Sequence, residues 1–345
     1  MNKIMLFGGV FDPVHTGHLS IYKAIKKKYK FKKFIIIPSK NPPLKTHLPF
    51  ATTKDRMTML KLMFSHYQDV EISNYEIKQK DKSVSYTVNT IRYFKKLYPN
   101  VLLYFVIGTD RYLDFKKWKD WQIILKFVNL VVIKRNNDKF KKDIPAEFLD
   151  INFIPTSSSA LRQLPKIKYL TSSVAEYIAT FGLYVINQVK PLMSLRRFQH
   201  TLRVAHLAVQ IAKTISPILA SKAYIAAMYH DVAKEMSSVQ IKRLVKHWDK
   251  SKYPTTHTLH GLASAQYAKK YFNIRDEDIL NAIANHVIKS EKPSVLDMVI
   301  YCADKLEPAR TAADVKNRLD YVKLAKTNLE LAFDKLYKEI SDHYN

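Results

Sequence analysis

Only six glycines occur in the 345 residues, where average usage gives about two dozen. A chain that otherwise avoids glycine keeps it where other residues do not fit, so Gly8, Gly9, Gly17, Gly108, Gly182 and Gly261 mark constrained backbone. Cysteine is scarcer still. Cys302 stands alone, which excludes an intramolecular disulfide and any disulfide-stapled scaffold. No apolar run approaches the ~20 residues of a membrane-spanning helix, and the chain opens into a strand-like segment at Lys3 rather than a secretory leader. These absences point to the cytoplasm and to no membrane partner. Internal repeats and low-complexity segments are also missing.

What is abundant is positive charge, +27 in all. Residues 1–187 hold 32 basic and 14 acidic side chains, and residues 188–345 hold 25 and 16. The excess is thus spread over both halves, much of it as lysine runs such as Lys26-Lys27-Lys28. Such runs fit solvated helix faces, with a broad field that attracts polyanionic substrates. No RGG-type or aromatic-interleaved basic stretch marks a nucleic-acid surface, so nucleic acid is not the expected partner.

Apolar runs at Lys3 to Phe7 and Phe34 to Ile37 flank a helical stretch from His18 to about Tyr29. Leu102 to Ile107 and Leu130 to Ile133 repeat the strand pattern, with helical segments between them. This reads as a doubly wound, Rossmann-like α/β domain, whose ligands gather at the carboxyl ends of the strands. After Tyr184 the alternation stops. Asn187 to Pro191 reads as a connector, and from Leu195 onward helix follows helix, so the expected domains are 1–187 (α/β) and 188–345 (all-α).

Behind the first strand stands Gly8-Gly9-Val10-Phe11-Asp12-Pro13-Val14-His15-Thr16-Gly17-His18. Glycines between a strand and a helix let backbone approach a phosphate, and the helix N-terminus favours anions. Two histidines three apart add imidazole donors on the same approach. A plain tight turn needs no such pair. The string resembles the HxGH signature of the nucleotidyltransferase superfamily. Thr156-Ser157-Ser158-Ser159-Ala160-Leu161-Arg162 resembles that superfamily's second signature, with Ser159 where threonine is usual. Asn41-Pro42-Pro43-Leu44-Lys45, Asp55-Arg56, Ser85-Tyr86-Thr87, Gly108-Thr109-Asp110, Trp118 and Phe181-Gly182-Leu183-Tyr184 occur in the order of the bacterial nicotinate-nucleotide adenylyltransferases.

That resemblance implies transfer of adenylate from ATP, carried with Mg²⁺, to nicotinate mononucleotide. It implies that His15, His18, Lys45 and Arg162 stabilise the developing charge and that the serines grip the triphosphate. Trp118 would stack on the pyridine ring, with Tyr86 and Thr87 near its carboxylate and Asp110 on the adenosine side. Gly8, Gly9, Phe11, Asp12 and Gly108 complete the expected nucleotide site. Preference for nicotinate over nicotinamide stays open here.

The second half carries His200, His230-Asp231, His260, His286 and Asp304. An adjacent His-Asp pair on a helix rarely serves packing, because a buried aspartate needs a partner. Imidazole and carboxylate suit first-row divalent metals, and six such ligands could hold two ions. The strings Arg197-Phe198-Gln199-His200-Thr201, Tyr229-His230-Asp231-Val232-Ala233-Lys234, Leu259-His260-Gly261, Asn285-His286 and Ala303-Asp304-Lys305-Leu306-Glu307-Pro308-Ala309-Arg310 resemble the HD superfamily. More closely, they resemble its symmetrical bis(5′-nucleosyl)-tetraphosphatases.

The resemblance implies the six named residues as metal ligands, iron as the common ion, and Lys234 and Arg310 on substrate phosphates. The implied reaction is hydrolysis of a dinucleoside polyphosphate, diadenosine tetraphosphate giving two ADP. Another phosphoanhydride is an alternative substrate, because Val287 to Pro293 departs from the family's loop, and a non-catalytic sensing role is a second alternative, against which the complete ligand set weighs. His257 reads as a surface or outer residue and His206 as core or surface. Oligomeric state is not legible.

Overall fold

The computed structural model describes residues 2–41, 50–79, 84–134, 141–151, 154–163, 166–251, 253–310 and 315–344. The chain forms two compact units, Met1–Arg162 with Lys168–Val174 and Gln163–Ile167 with Ala175–Asn345. Lys45, with Pro42, Pro43 and Leu44, lies outside the described residues.

The first unit is built on six parallel strands: β1 (Lys3–Gly9), β2 (Lys33–Pro38), β3 (Val70–Ile72), β4 (Leu102–Gly108), β5 (Val128–Lys134) and β6 (Glu147–Asp150). Their order is β3-β2-β1-β4-β5-β6, the doubly wound arrangement. The central strands are apolar on both faces because helices cover both. Phe34, Ile35, Ile36 and Ile37 are all buried, which is why their runs do not alternate. Helices α1 (Thr16–Lys28), α2 (Thr53–Phe64), α3 (Thr87–Leu97), α4 (Thr109–Leu113), α5 (Trp121–Phe127) and α6 (Ser158–Gln163) supply the covers and loop ends. The direction of winding reverses between β1 and β4, so the carboxyl ends of those strands open a crevice.

Helix α7 (Ser172–Thr180) carries the chain from the first unit into the second. The expected connector at 187–191 is instead ordered helix. Residues Val185–Val189 form α8 and run into a tight 3₁₀ turn, Lys190–Leu192. Pro191 fits there because the first turn of a helix needs no N–H from it. Val185 and Val189 are buried in the second unit's core, which a solvent-facing linker would not allow.

The rest is helical: α9 (Leu195–Lys213), α10 (Pro217–Tyr229), α11 (Ser238–Leu244), α12 (Thr256–Phe272), α13 (Glu277–Asn285), α14 (Val295–Leu306), α15 (Arg318–Thr327) and α16 (Leu329–Tyr344). In α9 the buried residues Val204, Ala205, Ala208, Ile211 and Ala212 follow the helical stripe. Opposite them α10 presents Ala220, Ala223, Ala226 and Ala227, small enough for the two helices to lie close. Among the described residues no helix is long and apolar enough to cross a membrane.

Candidate functional site

The crevice in the first unit is a cavity of about 620 Å³ at the carboxyl ends of β1, β2 and β4. Of the residues singled out in the sequence, Gly8, Gly9, Phe11, Asp12, His18, Tyr86, Thr87, Gly108, Asp110, Trp118 and Ser158 line it. His15, Ser157, Ser159 and Arg162 lie outside that lining.

The two histidines form the start of α1. His15 is its N-cap and accepts from the Gly17 N–H through Nδ1 at 3.1 Å, while His18 Nδ1 accepts from the His15 N–H at 3.1 Å. Each ring is a capping acceptor, a role usually filled by serine and glutamate. The consequence is chemical. With both Nδ1 atoms accepting, the neutral rings carry their protons on Nε2, so both Nε2–H groups are donors. The rings stack at 3.8 Å between centroids. Phe11, at φ 53°, is held in the left-handed region and buttresses His18 at 5.0 Å between ring centroids. Such strain in a bulky residue persists only where its surroundings fix it. Gly9 makes room for it, because a Cβ there would meet the Phe11 ring at 2.8 Å.

Asp12 and Arg162 hold the loop from behind. Asp12 accepts from the Phe50 and Ala51 N–H groups, and Arg162 donates to the Asp12 carbonyl and to Ser159 Oγ. Both side chains are buried. Ser158 Oγ donates to the Pro13 carbonyl at 2.8 Å, and Ser157 Oγ accepts from Ala160 N–H at the start of α6. The second signature therefore stitches α6 to the histidine loop. Tyr86 caps α3, with the Lys119 ammonium 4.7 Å over its ring, and Trp118 packs against Phe105 and Phe115.

Other lining residues escaped the sequence reading, Glu76 and Thr90 among them. Glu76 is 7% exposed and accepts from Thr90 Oγ1 at 2.6 Å. Burial, opposed by the bonds from Thr90 and Ser85, pushes its carboxyl from 4.5 up to about 6. The fold therefore holds this proton more tightly than the unfolded chain does. Below pH 4.5 the group is neutral in both states, and its contribution is lost as pH rises through about 6. Glu76→Gln, which keeps the acceptor for Thr90, is expected to gain stability over the parent by about 2 kcal/mol more at pH 8 than at pH 4. Denaturant unfolding at both pH values measures the difference. A gain that does not change with pH would contradict this placement of Glu76.

In the second unit the six expected ligands converge. His200 (α9), His260 (α12) and Asp304 (α14) sit within helices, and all six side chains are buried. His230 and Asp231 are not on a helix, as the sequence had implied, but just past the end of α10. His286 likewise caps α13. The last carbonyls of a helix lack backbone donors, and these caps use them: His230 Nδ1–H donates to the Ala227 carbonyl at 2.6 Å and His286 Nδ1–H to that of Ile283 at 2.7 Å. His260 Nδ1–H donates to the His257 carbonyl.

All three Nε2 lone pairs are thereby turned inward. His260 Nε2 and His286 Nε2 face each other at 3.1 Å. Two acceptors at that distance repel unless a cation lies between them, and two imidazole nitrogens ~2.1 Å from one ion lie roughly 3.0–3.4 Å apart, from right-angled to tetrahedral geometry. His200 Nε2, His230 Nε2 and Asp231 Oδ1 have no hydrogen-bond partner among the described residues. The donor set therefore fits a divalent metal. Two groups of three ligands form, His200-His230-Asp231 and Asp231-His260-His286. Asp231 divides between them, Oδ1 lying 3.1 Å from His260 and 3.3 Å from His286, Oδ2 lying 3.5 Å from His230 and 3.8 Å from His200. Asp304 Oδ1 joins the first group, 3.1 Å from His200.

Gly261 sets the spacing. A Cβ there would meet the Ala284 carbonyl at 2.6 Å, so only glycine lets α12 and α13 close enough for His260 and His286 to meet. His257 and His206 are exposed. Among the described residues four cations ring the carboxylates: Lys234 and Arg310, which the resemblance placed on substrate phosphates, and Arg197 and Lys305, to which the sequence reading gave no role. Burial, against the pull of Asp231 and Asp304, lowers the Lys234 ammonium. Arg197 and Lys305 were visible beside ligands in the quoted strings, and that adjacency was their signal.

The comparisons agree with this division. The model of cytidylyltransferase-like proteins matches residues 6–164, and that of the HD domain matches residues 197–309. The chain is 36% identical over 340 residues to a Mycoplasma genitalium protein described as a probable nicotinate-nucleotide adenylyltransferase/Ap4A hydrolase, covering 96% of this chain and 95% of that one. A Mycoplasma pneumoniae protein of the same description is 31% identical, covering 95% and 96%. A Clostridium tetani protein described as a probable nicotinate-nucleotide adenylyltransferase is 40% identical over 207 residues, 53% of this chain and all of that one.

Proposed function

Since the chain belongs to the family of nicotinate-nucleotide adenylyltransferase/Ap4A hydrolase proteins, we propose that it is a bifunctional enzyme with one activity in each unit. The first unit joins the adenylate of ATP to nicotinate mononucleotide. An oxygen of the mononucleotide phosphate attacks the α-phosphorus of ATP, the new P–O bond forms, and pyrophosphate leaves with the electrons of the broken anhydride. No protein nucleophile is needed. Positioning and charge neutralisation carry such a transfer, and the observation that supports it is the histidine pair, whose Nδ1 atoms are both taken up as helix caps so that the neutral rings donate through Nε2. Mg²⁺ enters with ATP. Tyr86, Thr87 and Trp118 frame the pyridine end, Asp110 the adenosine end, and Lys45 completes the phosphate contacts.

The second unit hydrolyses diadenosine tetraphosphate to two ADP. The supporting observation is the Asp231 carboxylate, whose two oxygens serve two ligand groups. His200, His230, Asp231 and Asp304 would hold one divalent ion and His260, His286 and Asp231 the other, iron being the ion the family resemblance implies. Such ions lower the pKa of water and neutralise phosphate charge. The protein's own part is to bind the polyphosphate with Lys234, Arg310, Arg197 and Lys305, cations that otherwise pair with the ligand carboxylates.

A substrate panel tests both readings. With ATP, nicotinate mononucleotide is expected to release pyrophosphate faster than nicotinamide mononucleotide. Diadenosine tetraphosphate is expected to give ADP alone, and only in the metal-loaded protein. No pyrophosphate with either mononucleotide would overturn the first assignment, and ATP plus AMP as hydrolysis products would overturn the second.

A further inference from the structure

The four histidines of the metal cluster are not oriented alike. His230, His260 and His286 each give Nδ1–H to a backbone carbonyl three residues earlier. His200 lies inside α9, and its Nδ1 meets a side chain instead, Glu307 Oε1 at 3.2 Å. Glu307 is 3% exposed and fully engaged. Its Oε2 accepts from Arg203 Nε at 2.6 Å and from the Ala309 N–H at 2.9 Å. Arg203 stands three residues after His200, so one face of α9 carries both the ligand and the clamp on its orienting carboxylate. Glu307 itself follows α14, three residues beyond Asp304, which faces the same His200 ring from the other nitrogen.

We infer that Glu307 is a positioning residue for His200: it fixes the ring with Nε2 turned into the cluster and, as an anionic acceptor, makes that nitrogen a stronger donor than its backbone-bonded counterparts. The inference rests on the reading of this cluster as a metal centre. A carbonyl orients a ligand histidine, whereas a carboxylate orients it and also adds electron density; loss of such an outer partner costs about 10–100-fold in metal affinity. The ion served by His200 is accordingly held by a different device from the ion served by His260 and His286.

The test uses the full chain stripped by chelator and titrated with Mn²⁺, following the resonance of the free ion. In the His260→Ala background the remaining ion is the one His200 serves. There Glu307→Gln is expected to weaken binding by about 10–100-fold. In the His200→Ala background the same substitution is expected to leave the remaining ion's affinity unchanged, because its route of action is gone. A general loss of structure would weaken both. Arg203→Met, which leaves the carboxylate but frees it to turn, provides a second variant with a smaller loss at the same ion. Equal weakening in the two backgrounds, or none in either, would overturn the assignment. Parent protein that takes up no Mn²⁺ would instead overturn the metal centre itself.

Discussion

His18→Ala is expected to cut dinucleotide synthesis by about 10²–10³-fold while leaving polyphosphate hydrolysis at its parent rate. The estimate is that of removing one preorganised donor from a developing negative charge. Yet His18 also accepts from the His15 N–H, so alanine removes a helix cap as well, at a cost of about 1 kcal/mol. His18→Gln separates the two effects. Glutamine three residues after the cap is the usual partner in this motif, so it restores the bond to the His15 N–H without restoring an imidazole. Both variants should lose synthesis alike, and only the alanine variant should lose stability. A glutamine variant that regains synthesis would mean that the imidazole itself is not required, the restored cap and an amide N–H being enough. Equal loss of both activities in either variant would contradict the independence of the two units.

Asp231→Ala is expected to remove hydrolysis and to release both ions together, because Asp231 gives one oxygen to each ligand group. His260→Ala, by contrast, should release one ion and spare the other. The loss of affinity at each site should exceed the ~100-fold that marks the upper range for an outer-sphere substitution. Elemental analysis after gel filtration measures ions per chain, and pyrophosphate release with ATP and nicotinate mononucleotide should be untouched. An Asp231→Ala chain that retains one ion at parent affinity would show that the carboxylate does not bridge. Alanine also leaves Arg197 and Lys234 without this partner, so some thermal destabilisation of the metal-free chain is expected alongside.

Much of this was legible in the residues because the strongest signals were local. Strands β1, β2, β4 and β5 announced themselves as apolar runs since both their faces are covered. Strands β3 and β6 did not. They are short edge strands, Val70–Ile72 and Glu147–Asp150, with half-exposed or charged positions that resemble loop. The histidine loop stood out because glycine is rare elsewhere. Glu76 was invisible for the opposite reason: a single carboxylate in a polar stretch, buried only when the chain folds back onto Thr90. The structure brings the His230-Asp231 pair together with the other histidines, but on a different kind of backbone from the helix expected. Apolar periodicity runs through Tyr229 and does not reveal where the carbonyls stop finding donors. Arg162 was expected at the phosphates, and the structure shows it bonded to the Asp12 carbonyl, a contact across 150 residues that no local pattern encodes.

The histidines that end α10 and α13 have one more consequence, for how this sequence can change over time. Each is fixed by a bond to the carbonyl three residues back, at the place where its helix stops. Adding or deleting one residue within either helix would swing the imidazole by about 100° around the axis and shift it ~1.5 Å along it. The lengths of these two helices are therefore set by where their terminal imidazoles must point rather than by packing alone. Substitutions along their outer faces can accumulate freely, but insertions and deletions must fall in the loops beyond.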